Sequence, residues 1–368
     1  MDESLTKHVA TYTNAERRAW NTIVIGGGQA GLAAGYYLKN RGIDFVILDA
    51  EKNVGDAWRK RWDSLKLFSP PPHNALPGLA PKLTGKPTTK DAMADYLAEY
   101  AIWHSLPIRL GIGVTLLSKT REGFSISTNS GIFTCTNVIV ATGSHQRAKY
   151  PEFAKDLNPA VFQIHSSKYK NATSLPPGEV LVVGSATSGI EIGMEVSKSR
   201  PTTVSGKPSF VLPKFMFLFG RKFTWWFVSN VLTIRTPIGR NAKKGIVRGG
   251  AVAPGLLKLF QDSGVRTAGR VVGIRNGWPL LADGRELPVS TVIWCTGDKP
   301  DFSWIDMEVL DRNRWPVARR GVAKKFPGLY FVGMPFQFGL SSALVGGVAR
   351  DAEFVVKHIA VNQPATRH

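Results

Sequence analysis

Residues 21–51, which read NTIVIGGGQAGLAAGYYLKNRGIDFVILDAE, constrain the fold of this chain more than any other stretch. The run TIVI is β-branched and apolar, as is typical of a buried parallel strand. Gly26, Gly28 and Gly31 follow it with the spacing G-x-G-x-x-G, and a pattern with helical spacing comes next. A second apolar run, DFVILDA, closes with Asp49. This order predicts a strand–turn–helix–strand unit of the kind that binds a dinucleotide.

Each marked position in this unit has a physical reason. Gly26 allows the tight turn, Gly28 lets the backbone approach a pyrophosphate, and Gly31 lets the helix pack closely on the strand. The helix N-terminus stabilises the negative charge of the pyrophosphate, and the carboxylate of Asp49 accepts hydrogen bonds from an adenosine ribose. The alternative is a glycine-rich turn without a ligand, which the strand, the helix and the acid together disfavour.

Residues 179–207, EVLVVGSATSGIEIGMEVSKSRPTTVSGK, repeat this plan in a weaker form. The predicted binding turn consists of Gly184, Ser185, Ala186, Thr187, Ser188 and Gly189. Alanine replaces the middle glycine, and its methyl group crowds a pyrophosphate without excluding it. Taken alone, this repeat could also be a doubly wound half-domain without a ligand.

The second unit ends in Ser205 and Lys207, where the first unit has Asp49. An acid would repel a ribose 2′-phosphate, whereas a lysine and a hydroxyl stabilise it. The second unit is therefore predicted to bind NADP rather than NAD. Two unlike dinucleotide sites in one chain predict a flavin fixed in the first and a nicotinamide that delivers hydride from the second.

The chain is thus predicted to be an α/β protein with two Rossmann-like dinucleotide-binding domains, one for FAD and one for NADP. A length of 368 residues favours two domains over one. We expect a discontinuous FAD-binding domain of residues 1–150 and 300–368. The NADP-binding domain, residues 151–299, would be inserted in it.

Five further blocks carry a resemblance to a known family. In chain order they are VGDAWRKRWDSLKLFSP with Trp58 and Arg59, VIVATGSH with Thr142 and Gly143, IHSSKYKN with His165 and Tyr169, VIWCTGDKPDFSWI with Thr296 and Gly297, and PGLYFVGMPFQFGLSSALVGGVARDAEFV with Gly333 and Gln337. Together with the two glycine turns, they resemble the flavin-containing monooxygenase superfamily, and within it the bacterial CzcO-like flavoproteins. The plant-type indole-pyruvate monooxygenases are more distant.

The resemblance implies a three-layer ββα fold of the glutathione-reductase-like flavoproteins. It adds Trp58, Arg59, Thr142, Gly143, Gly333 and Gln337 to the expected FAD contacts and Thr296 and Gly297 to the expected NADP contacts, and it makes His165 and Gln337 the candidates for a catalytic role. The activity it implies is that of a monooxygenase. NADPH would reduce the FAD, and one oxygen atom of O2 would reach a small organic substrate through a C4a-hydroperoxyflavin.

Three departures from the family pattern bear on that activity. Pro159 and Val161 stand where the longer form of the His165 motif has Phe and Gly. Phe68 stands where many relatives have an asparagine near the flavin. Residues 336–342 read FQFGLSS where CzcO-like chains commonly read WQHTRGS. The Phe68 and 336–342 departures favour an alternative, an NADPH-dependent flavin reductase or oxidase that releases hydrogen peroxide. The resemblance to CzcO-like chains keeps a second alternative open, a transport-associated redox-sensing flavoprotein.

The charge of the chain is strongly positive and unevenly placed. The formal net charge is +20, and residues 196–261 contain twelve Lys and Arg but no Asp or Glu. A nucleic-acid surface or an anionic membrane is one interpretation. The other is a basic domain that handles a phosphorylated cofactor, which we prefer because no nucleic-acid-binding motif is present. No nucleic acid is therefore expected as a partner, and the family resemblance implies a small-molecule substrate and O2.

The remaining sequence features exclude other classes. Cys135 and Cys295 form no C-x-x-C pair, which fits a cytoplasmic location and argues against a disulfide reductase. The first residues have no apolar core and do not predict a secretory signal. No set of histidines has metal-ligand spacing, so no metal site is predicted. His165 itself has two interpretations: a polar group beside the NADP, or a satisfied histidine between the domains.

Residues 210–234, FVLPKFMFLFGRKFTWWFVSNVLTI, form the most apolar region of the chain. Pro213, two lysines and an arginine interrupt it, so it does not predict a membrane span. Three interpretations stay open at this point: a peripheral membrane contact, a wall on the substrate side, and a contact in a homodimer.

Overall fold

Two β-sheets, one of ten strands and one of five, organise residues 18–82, 86–217, 220–249 and 252–362, which are the residues that the computed structural model describes. The strands are β1 (Ala19–Ile25), β2 (Phe45–Leu48), β3 (Ile108–Arg109), β4 (Val114–Lys119), β5 (Phe124–Thr128), β6 (Gly131–Val140), β7 (Arg147–Ala148), β8 (Phe162–His165), β9 (Val180–Val183), β10 (Thr202–Ser205), β11 (Arg266–Ala268), β12 (Val271–Arg275), β13 (Trp278–Leu281), β14 (Thr291–Trp294), β15 (Asp298–Lys299), β16 (Ile305–Asp306), β17 (Ala318–Arg319), β18 (Val322–Ala323) and β19 (Leu329–Phe331). The α-helices are α1 (Gln29–Asn40), α2 (Asp56–Arg59), α3 (Lys90–Trp103), α4 (Thr187–Val196), α5 (Gly220–Asn230), α6 (Pro237–Gly249), α7 (Pro254–Asp262) and α8 (Val348–Val361).

The larger sheet has the order β16-β4-β5-β6-β1-β2-β3, and β19 pairs with β6 on a branch of it. β1 runs parallel to both β2 and β6, so that Ile25 lies beside Leu48 and Val140. The carboxyl ends of these three strands therefore meet at one edge. β2 is buried along its whole length, as expected for a strand with elements on both faces of its sheet.

Helix α1 lies on this sheet and packs against α8. Leu32 and Leu38 of α1 and Val355 and Val356 of α8 are buried in one core cluster. The helix is apolar along the face that meets the sheet, and small residues such as Gly35 let it come close to β2. The predicted strand–turn–helix–strand unit is present here.

The second sheet is parallel throughout, with the order β11-β10-β9-β14-β8. Helix α4 follows β9 and buries Ile190 and Val196 against the sheet. The repeat of the first unit is therefore also present, and the predicted α/β fold class is confirmed. The strands of this sheet come from residues 162–294, while the domain boundaries at 150 and 299 stay a prediction.

The apolar region predicted at residues 210–234 is described except for residues 218 and 219, and its described part lies against the segment that follows β19. Residues 214–217 form a short 3-10 helix ahead of α5. Backbone hydrogen bonds join Leu340 N–H to the Leu232 carbonyl and Ile234 N–H to the Phe338 carbonyl. Much of the apolar content is buried within the chain, including Val228. Among the described residues, no helix has the length and apolarity needed to cross a membrane.

Candidate active site

The first glycine turn sits at the carboxyl ends of β1, β2 and β6. Gly26 has φ +107°, and a Cβ built on it would lie 2.8 Å from the carbonyl oxygen of Ala141. A Cβ on Gly31 would lie 1.9 Å from the carbonyl oxygen of Gly26. Any side chain at either position therefore forces the turn open, which gives both glycines a steric reason.

The space beside Gly28 is open. Gly28 is the N-cap of α1, and among the described residues no side chain caps the helix there and no atom lies within 4 Å of a Cβ built on Gly28. The first-turn amides of a helix need partners, and an anion satisfies them well. The buried hydroxyl of Thr142, at the end of β6, also has no hydrogen-bond partner among the described residues. These features fit the pyrophosphate of a dinucleotide such as FAD.

Asp49 braces the same turn. Its Oδ2 accepts a hydrogen bond from the Gly27 N–H at 2.6 Å, and its Oδ1 accepts one from the Glu51 N–H at 2.8 Å. Burial raises the pKa of this carboxyl, while the two N–H donors act in the opposite direction. A carboxylate has about four acceptor sites, so two stay available for ribose hydroxyls. The predicted ribose contact stays a prediction.

Trp58 and Arg59 lie in the short helix α2. The Arg59 guanidinium donates to the Val54 carbonyl at 2.8 Å and to Asp95 of α3 at 2.8 Å, and it also pairs with Asp56 at 3.3 Å. Trp58 packs half-buried against the core around α1. Both side chains hold the loop after β2 in place, and no described contact settles whether they also touch a flavin.

The segment after β19 closes over the first turn of α1. Gly333 has φ +85°, and a Cβ on it would lie 2.7 Å from the Cβ of Ala30. Gln29 Nε2 donates to the Ala343 carbonyl at 2.9 Å. Gln337 turns inward, because its Nε2 donates to the Phe331 carbonyl at 2.8 Å. In this arrangement Gln337 holds the loop, and its proposed catalytic role stays a prediction.

In the second glycine turn, as in the first, the first and last glycines leave no room for a Cβ. Gly184 has φ +113°, and a Cβ on it would lie 2.3 Å from the Cys295 carbonyl oxygen. A Cβ on Gly189 would lie 1.8 Å from the Gly184 carbonyl oxygen. The end of β14 thus takes the position at this turn that Ala141 takes at the first.

Alanine is accommodated in the middle of the second turn. Ala186 is the N-cap of α4 with φ −78° and ψ −179°, close to the φ −75° and ψ −173° of Gly28. No side chain caps α4, whose first turn holds Thr187 and Ser188. The buried hydroxyl of Ser185 has no hydrogen-bond partner among the described residues. This turn therefore also fits a pyrophosphate.

The two residues predicted to choose NADP are placed differently. Lys207 is exposed, and none of the ion pairs among the described residues involves it. Ser205 ends β10 with only 1% of its surface exposed, and its hydroxyl has no partner in the described part of the chain. Lys207 is thus free to meet a phosphate, whereas the Ser205 hydroxyl lies beneath the surface. Both assignments stay predictions.

Strand pairing brings a second cation to this edge, which sequence reasoning missed. Ser205 lies beside Ala268 of β11, and Gly206 N–H donates to the Ala268 carbonyl at 3.1 Å. Arg270 follows β11 two residues later and is exposed, with no ion pair among the described side chains. The register therefore places Lys207 and Arg270 at the same edge of the sheet, each two residues beyond the last pair of β10 and β11. No local motif marks Arg270, because its position depends on the pairing of distant strands.

His165 is fully buried at the end of β8, with 0% of its surface exposed. Its Nδ1 accepts a hydrogen bond from the Ser167 N–H at 3.2 Å, so Nε2 carries the proton and donates to the Gly297 carbonyl at 3.1 Å. Burial lowers the pKa of this imidazole, while Asp298 and the Gly297 carbonyl act in the opposite direction. The ring is neutral with both nitrogens engaged, which favours a structural role over acid–base chemistry.

A pH experiment separates these two roles. Because the folded pKa lies below the unfolded value of 6.5, the unfolded chain binds a proton that the folded chain does not. The stability that His165 contributes is therefore present above pH 6.5 and is lost as the pH falls below it. We expect the drop in Tm between pH 7.5 and 5.5 to be smaller in His165→Gln than in the unmodified protein. The pH profile of NADPH oxidation should stay unchanged, and a shifted profile would restore the acid–base role.

The loop that His165 holds also connects the two sheets. Thr296 Oγ1 donates to the Lys149 carbonyl, and Lys149 N–H donates to the Gly297 carbonyl at 3.1 Å. Strands β7 and β15 pair at the same crossing. Thr296 and Gly297 therefore lie where the chain passes between the two nucleotide units.

A tryptophan from the first unit anchors the second. Trp62, shortly after α2, is buried in the core cluster that contains Tyr169 and Ile190. The Tyr169 hydroxyl donates to Glu195 Oε1 at 2.8 Å, and the Ser64 hydroxyl donates to the other oxygen of Glu195. These contacts join the loop after Arg59 to helix α4, so that the two units are held together by packing as well as by hydrogen bonds.

An aromatic stack stands beside the closing segment. Trp225 of α5 lies 5.3 Å from the ring of His73 and 6.2 Å from that of Phe68, with interplanar angles of 25° and 20°. The His73 backbone touches Gly346, since a Cβ there would lie 2.1 Å from the His73 carbonyl oxygen. Gly346 follows Ala343, the partner of Gln29. The stack therefore adjoins the first nucleotide turn. Sequence reasoning placed Phe68 near the flavin but missed its stacking partner Trp225, and with it His73.

Comparison with known proteins identifies the family of this chain. The profile of the pyridine nucleotide-disulphide oxidoreductase family matches residues 23–205. An uncharacterized oxidoreductase CzcO-like from Geobacillus kaustophilus is 40% identical over 347 residues, which cover 92% of this chain and 98% of that protein. The chain belongs to the CzcO-like oxidoreductases. The resemblance that the sequence motifs indicated is thereby confirmed.

Two further proteins similar to this CzcO-like chain have descriptions that name an activity. The solved structure of a flavin-containing monooxygenase from Stenotrophomonas maltophilia matches with a TM-score of 0.77 and 28% identity, over 94% of this chain and 99% of that chain. The probable indole-3-pyruvate monooxygenase YUCCA4 from Arabidopsis thaliana is 28% identical, over 92% of this chain and 89% of that protein. This CzcO-like chain is therefore a flavin-dependent oxidoreductase related to the flavin monooxygenases.

Proposed function

We propose that this protein is a monooxygenase that binds FAD at the first glycine turn and uses NADPH, bound at the second, as its reductant. The observation that carries the proposal is that two helices, α1 and α4, each begin after a similar glycine turn. Among the described residues, no side chain caps either of them. The monooxygenase relative of 28% identity supports the choice of reaction. FAD, NADPH and O2 are parts of the proposal.

The residues of this chain would bind and orient the two cofactors. When bound, the flavin would accept hydride from NADPH and pass electrons to O2. The turns at Gly28 and Ala186 would hold the two pyrophosphates, and Lys207 with Arg270 would hold the 2′-phosphate of NADPH. His165 would fix the Gly297 loop between the cofactors. No proton transfer is assigned to a side chain.

The aromatic stack of Phe68, His73 and Trp225 would exclude water from the reacting centre. Trp225 belongs to α5, while Phe68 and His73 lie in the chain between α2 and α3. Exclusion of water limits side reactions of reactive oxygen species held in a site. A small apolar substrate fits such a wall better than a highly charged one, because desolvating charge next to three rings is unfavourable.

Disulfide reduction, which the name of the matched profile includes, receives no support from the two cysteines. Cys135 and Cys295 are both buried, and burial raises the pKa of each thiol to about 12. A thiol of that pKa has almost no reactive thiolate near neutral pH. The chain has no other cysteine. We therefore do not assign it a dithiol reaction.

The second candidate function is an NADPH oxidase that releases hydrogen peroxide. Phe68 favours it, since a phenyl ring stands where many relatives have an asparagine and offers no hydrogen bond to an oxygen species. The two functions differ in where the electrons of NADPH go. A monooxygenase places them in an oxygenated product when substrate is present, whereas an oxidase places them in hydrogen peroxide.

The purified protein tests both candidates directly. We expect a yellow protein whose flavin is reduced faster by NADPH than by NADH. Methyl phenyl sulfide, indole and cyclohexanone, added with ¹⁸O2, should give labelled product from at least one of them and should lower the peroxide yield. Peroxide recovery equal to NADPH consumption with every probe would replace the monooxygenase by the oxidase. A colourless protein that binds no added FAD would remove both.

A pair of adjacent tryptophans tests the role of the aromatic stack. We expect Trp225→Ala to admit water and to raise the peroxide released per NADPH by roughly 2- to 5-fold, because a more hydrated site loses its control of side reactions. Trp226→Ala is the matched control: this neighbour is 54% exposed and belongs to another ring pair, with Phe223. Peroxide yields would be measured by a peroxidase-coupled assay. Equal yields from the two variants would place the stack away from the reacting centre.

A further inference from the structure

Three arginines converge on one phenyl ring where the segment after β19 meets the chain that follows α5. The guanidinium carbons of Arg320, Arg350 and Arg235 lie 4.6, 4.8 and 5.2 Å from the centroid of Phe338. We call these three residues the arginine cluster. Phe338 itself is buried. The arginines come from the β17–β18 hairpin, from the first turn of α8 and from the chain after α5.

The cluster carries more positive charge than its surroundings compensate. In the described part of the chain, the carboxylate paired with it is Asp351, whose Oδ1 lies 3.7 Å from Arg320 Nη2. Asp351 is fully buried, and burial raises the pKa of its carboxyl to about 6, while Ser342 and Arg320 act in the opposite direction. Three cations against one carboxylate leave an excess of two positive charges.

The physical consequences of this excess are visible at Arg320. Burial lowers the pKa of its guanidinium, and Arg235 and Arg350 lower it further, while Asp351 acts in the opposite direction. Its Nε is buried without a hydrogen-bond partner in the described residues. Each of these effects is unfavourable for the protein alone, and each would be relieved by an anion that accepts hydrogen bonds.

The position of Arg320 is tightly held in spite of this. Its backbone has φ +50°, which is unusual for a residue with a side chain. Its guanidinium carbon also lies 4.0 Å from the centroid of Phe354, so that two rings flank it. Arg350 is fixed as well, because its Nη1 donates to the Ser229 carbonyl at 2.7 Å.

We propose that the arginine cluster binds a small oxyanion, a carboxylate or a phosphate, where the β17–β18 hairpin, α8 and the chain after α5 meet. Guanidinium groups match the planar or tetrahedral oxygens of such anions and form charge-assisted hydrogen bonds with them. The site adjoins Gln337, one of the predicted FAD contacts, because Phe338 follows Gln337 in the chain and a Cβ on Gly321 would lie 2.3 Å from the Gln337 Nε2. An extended polyanion suits it poorly, because the side chain of Arg320 is only 18% exposed.

Thermal unfolding of the FAD-loaded protein in saturating NADP⁺ tests this site, since both nucleotide sites are then filled. Inorganic phosphate and sodium benzoate would be titrated separately, with sodium chloride at equal ionic strength as the reference. We expect at least one of the two anions to raise Tm by several degrees above the chloride reference. A response to phosphate alone would identify a phosphorylated ligand, and a response to benzoate alone an organic carboxylate.

Three variants make the test specific. Arg350→Gln and Arg235→Gln should each weaken the apparent affinity for the anion at least tenfold. Arg319→Gln is the control, because Arg319 is exposed on the same hairpin and outside the cluster. Arg235 is also exposed, so its variant covers the case in which Arg350→Gln does not fold. Equal Tm shifts in all variants, or no shift above chloride in the unmodified protein, would overturn the proposal.

Discussion

Protein that carries Gly189→Ala is expected to stay yellow but to be reduced by NADPH at least about 100-fold more slowly at subsaturating NADPH. A Cβ at this position would lie 1.8 Å from the Gly184 carbonyl oxygen and 3.3 Å from the Cys295 Cβ. The turn must open to relieve these contacts, and the first-turn amides of α4 then no longer converge on the pyrophosphate. A 100-fold loss corresponds to about 3 kcal/mol of binding free energy.

The equivalent substitution in the first turn is the reciprocal control for Gly189→Ala. A Cβ on Gly31 would lie 1.9 Å from the Gly26 carbonyl oxygen, nearly the same clash. We expect Gly31→Ala to yield colourless protein, since it opens the FAD turn and leaves the NADP turn intact. Gly273→Ala, on β12, should retain both properties, because no atom lies within 4 Å of its Cβ.

Flavin content would be measured by absorbance after denaturation, and reduction by stopped-flow absorbance. Dithionite should still reduce the flavin of Gly189→Ala, which shows that the cofactor itself is competent. Unchanged NADPH-dependent reduction in this variant would remove NADPH from the second turn. Full flavin content in Gly31→Ala would likewise remove FAD from the first.

The parts of the site that the sequence predicts are those that local periodicity determines. Gly31 and Gly189 follow from the spacing of one turn and one helix, and both prove to be positions where a Cβ has no room. The buried strands β2 and β9 follow from their unbroken apolar runs. The position of Asp49 also follows, although its hydrogen bonds to Gly27 and Glu51 do not.

The parts that the sequence does not predict depend on contacts between distant segments. Trp62 reads as one more aromatic residue of a loop, and only the packing of the two units shows that it enters the second core. The stack of Phe68 with Trp225 joins residues whose separation no periodicity can bridge. Such contacts are set by tertiary packing, which local propensity does not encode. The same limit hid Arg270.

The preference for NADPH gives the second large expected effect. We expect Lys207→Asp to lower kcat/KM for NADPH by about 100-fold while changing that for NADH by less than about 3-fold, since each tenfold change is about 1.4 kcal/mol. The reason is that a phosphate loses an attractive cation and gains a repulsive carboxylate, while the ribose hydroxyls of NADH gain an acceptor. Steady-state rates with both nucleotides measure the ratio.

Substitution of Arg270 tests whether the preference for NADPH depends on Lys207 alone or on both cations at this edge of the sheet. Because β10 and β11 end side by side, Arg270→Ala should lower kcat/KM for NADPH by roughly tenfold and leave NADH unaffected. Lys258→Asp, an exposed charge reversal on α7, controls for the change in net charge. Equal losses with both nucleotides would mean that these cations support the fold of the turn. If Lys207→Asp leaves the ratio of kcat/KM for NADPH to that for NADH unchanged, other residues must bind the 2′-phosphate and distinguish NADP from NAD.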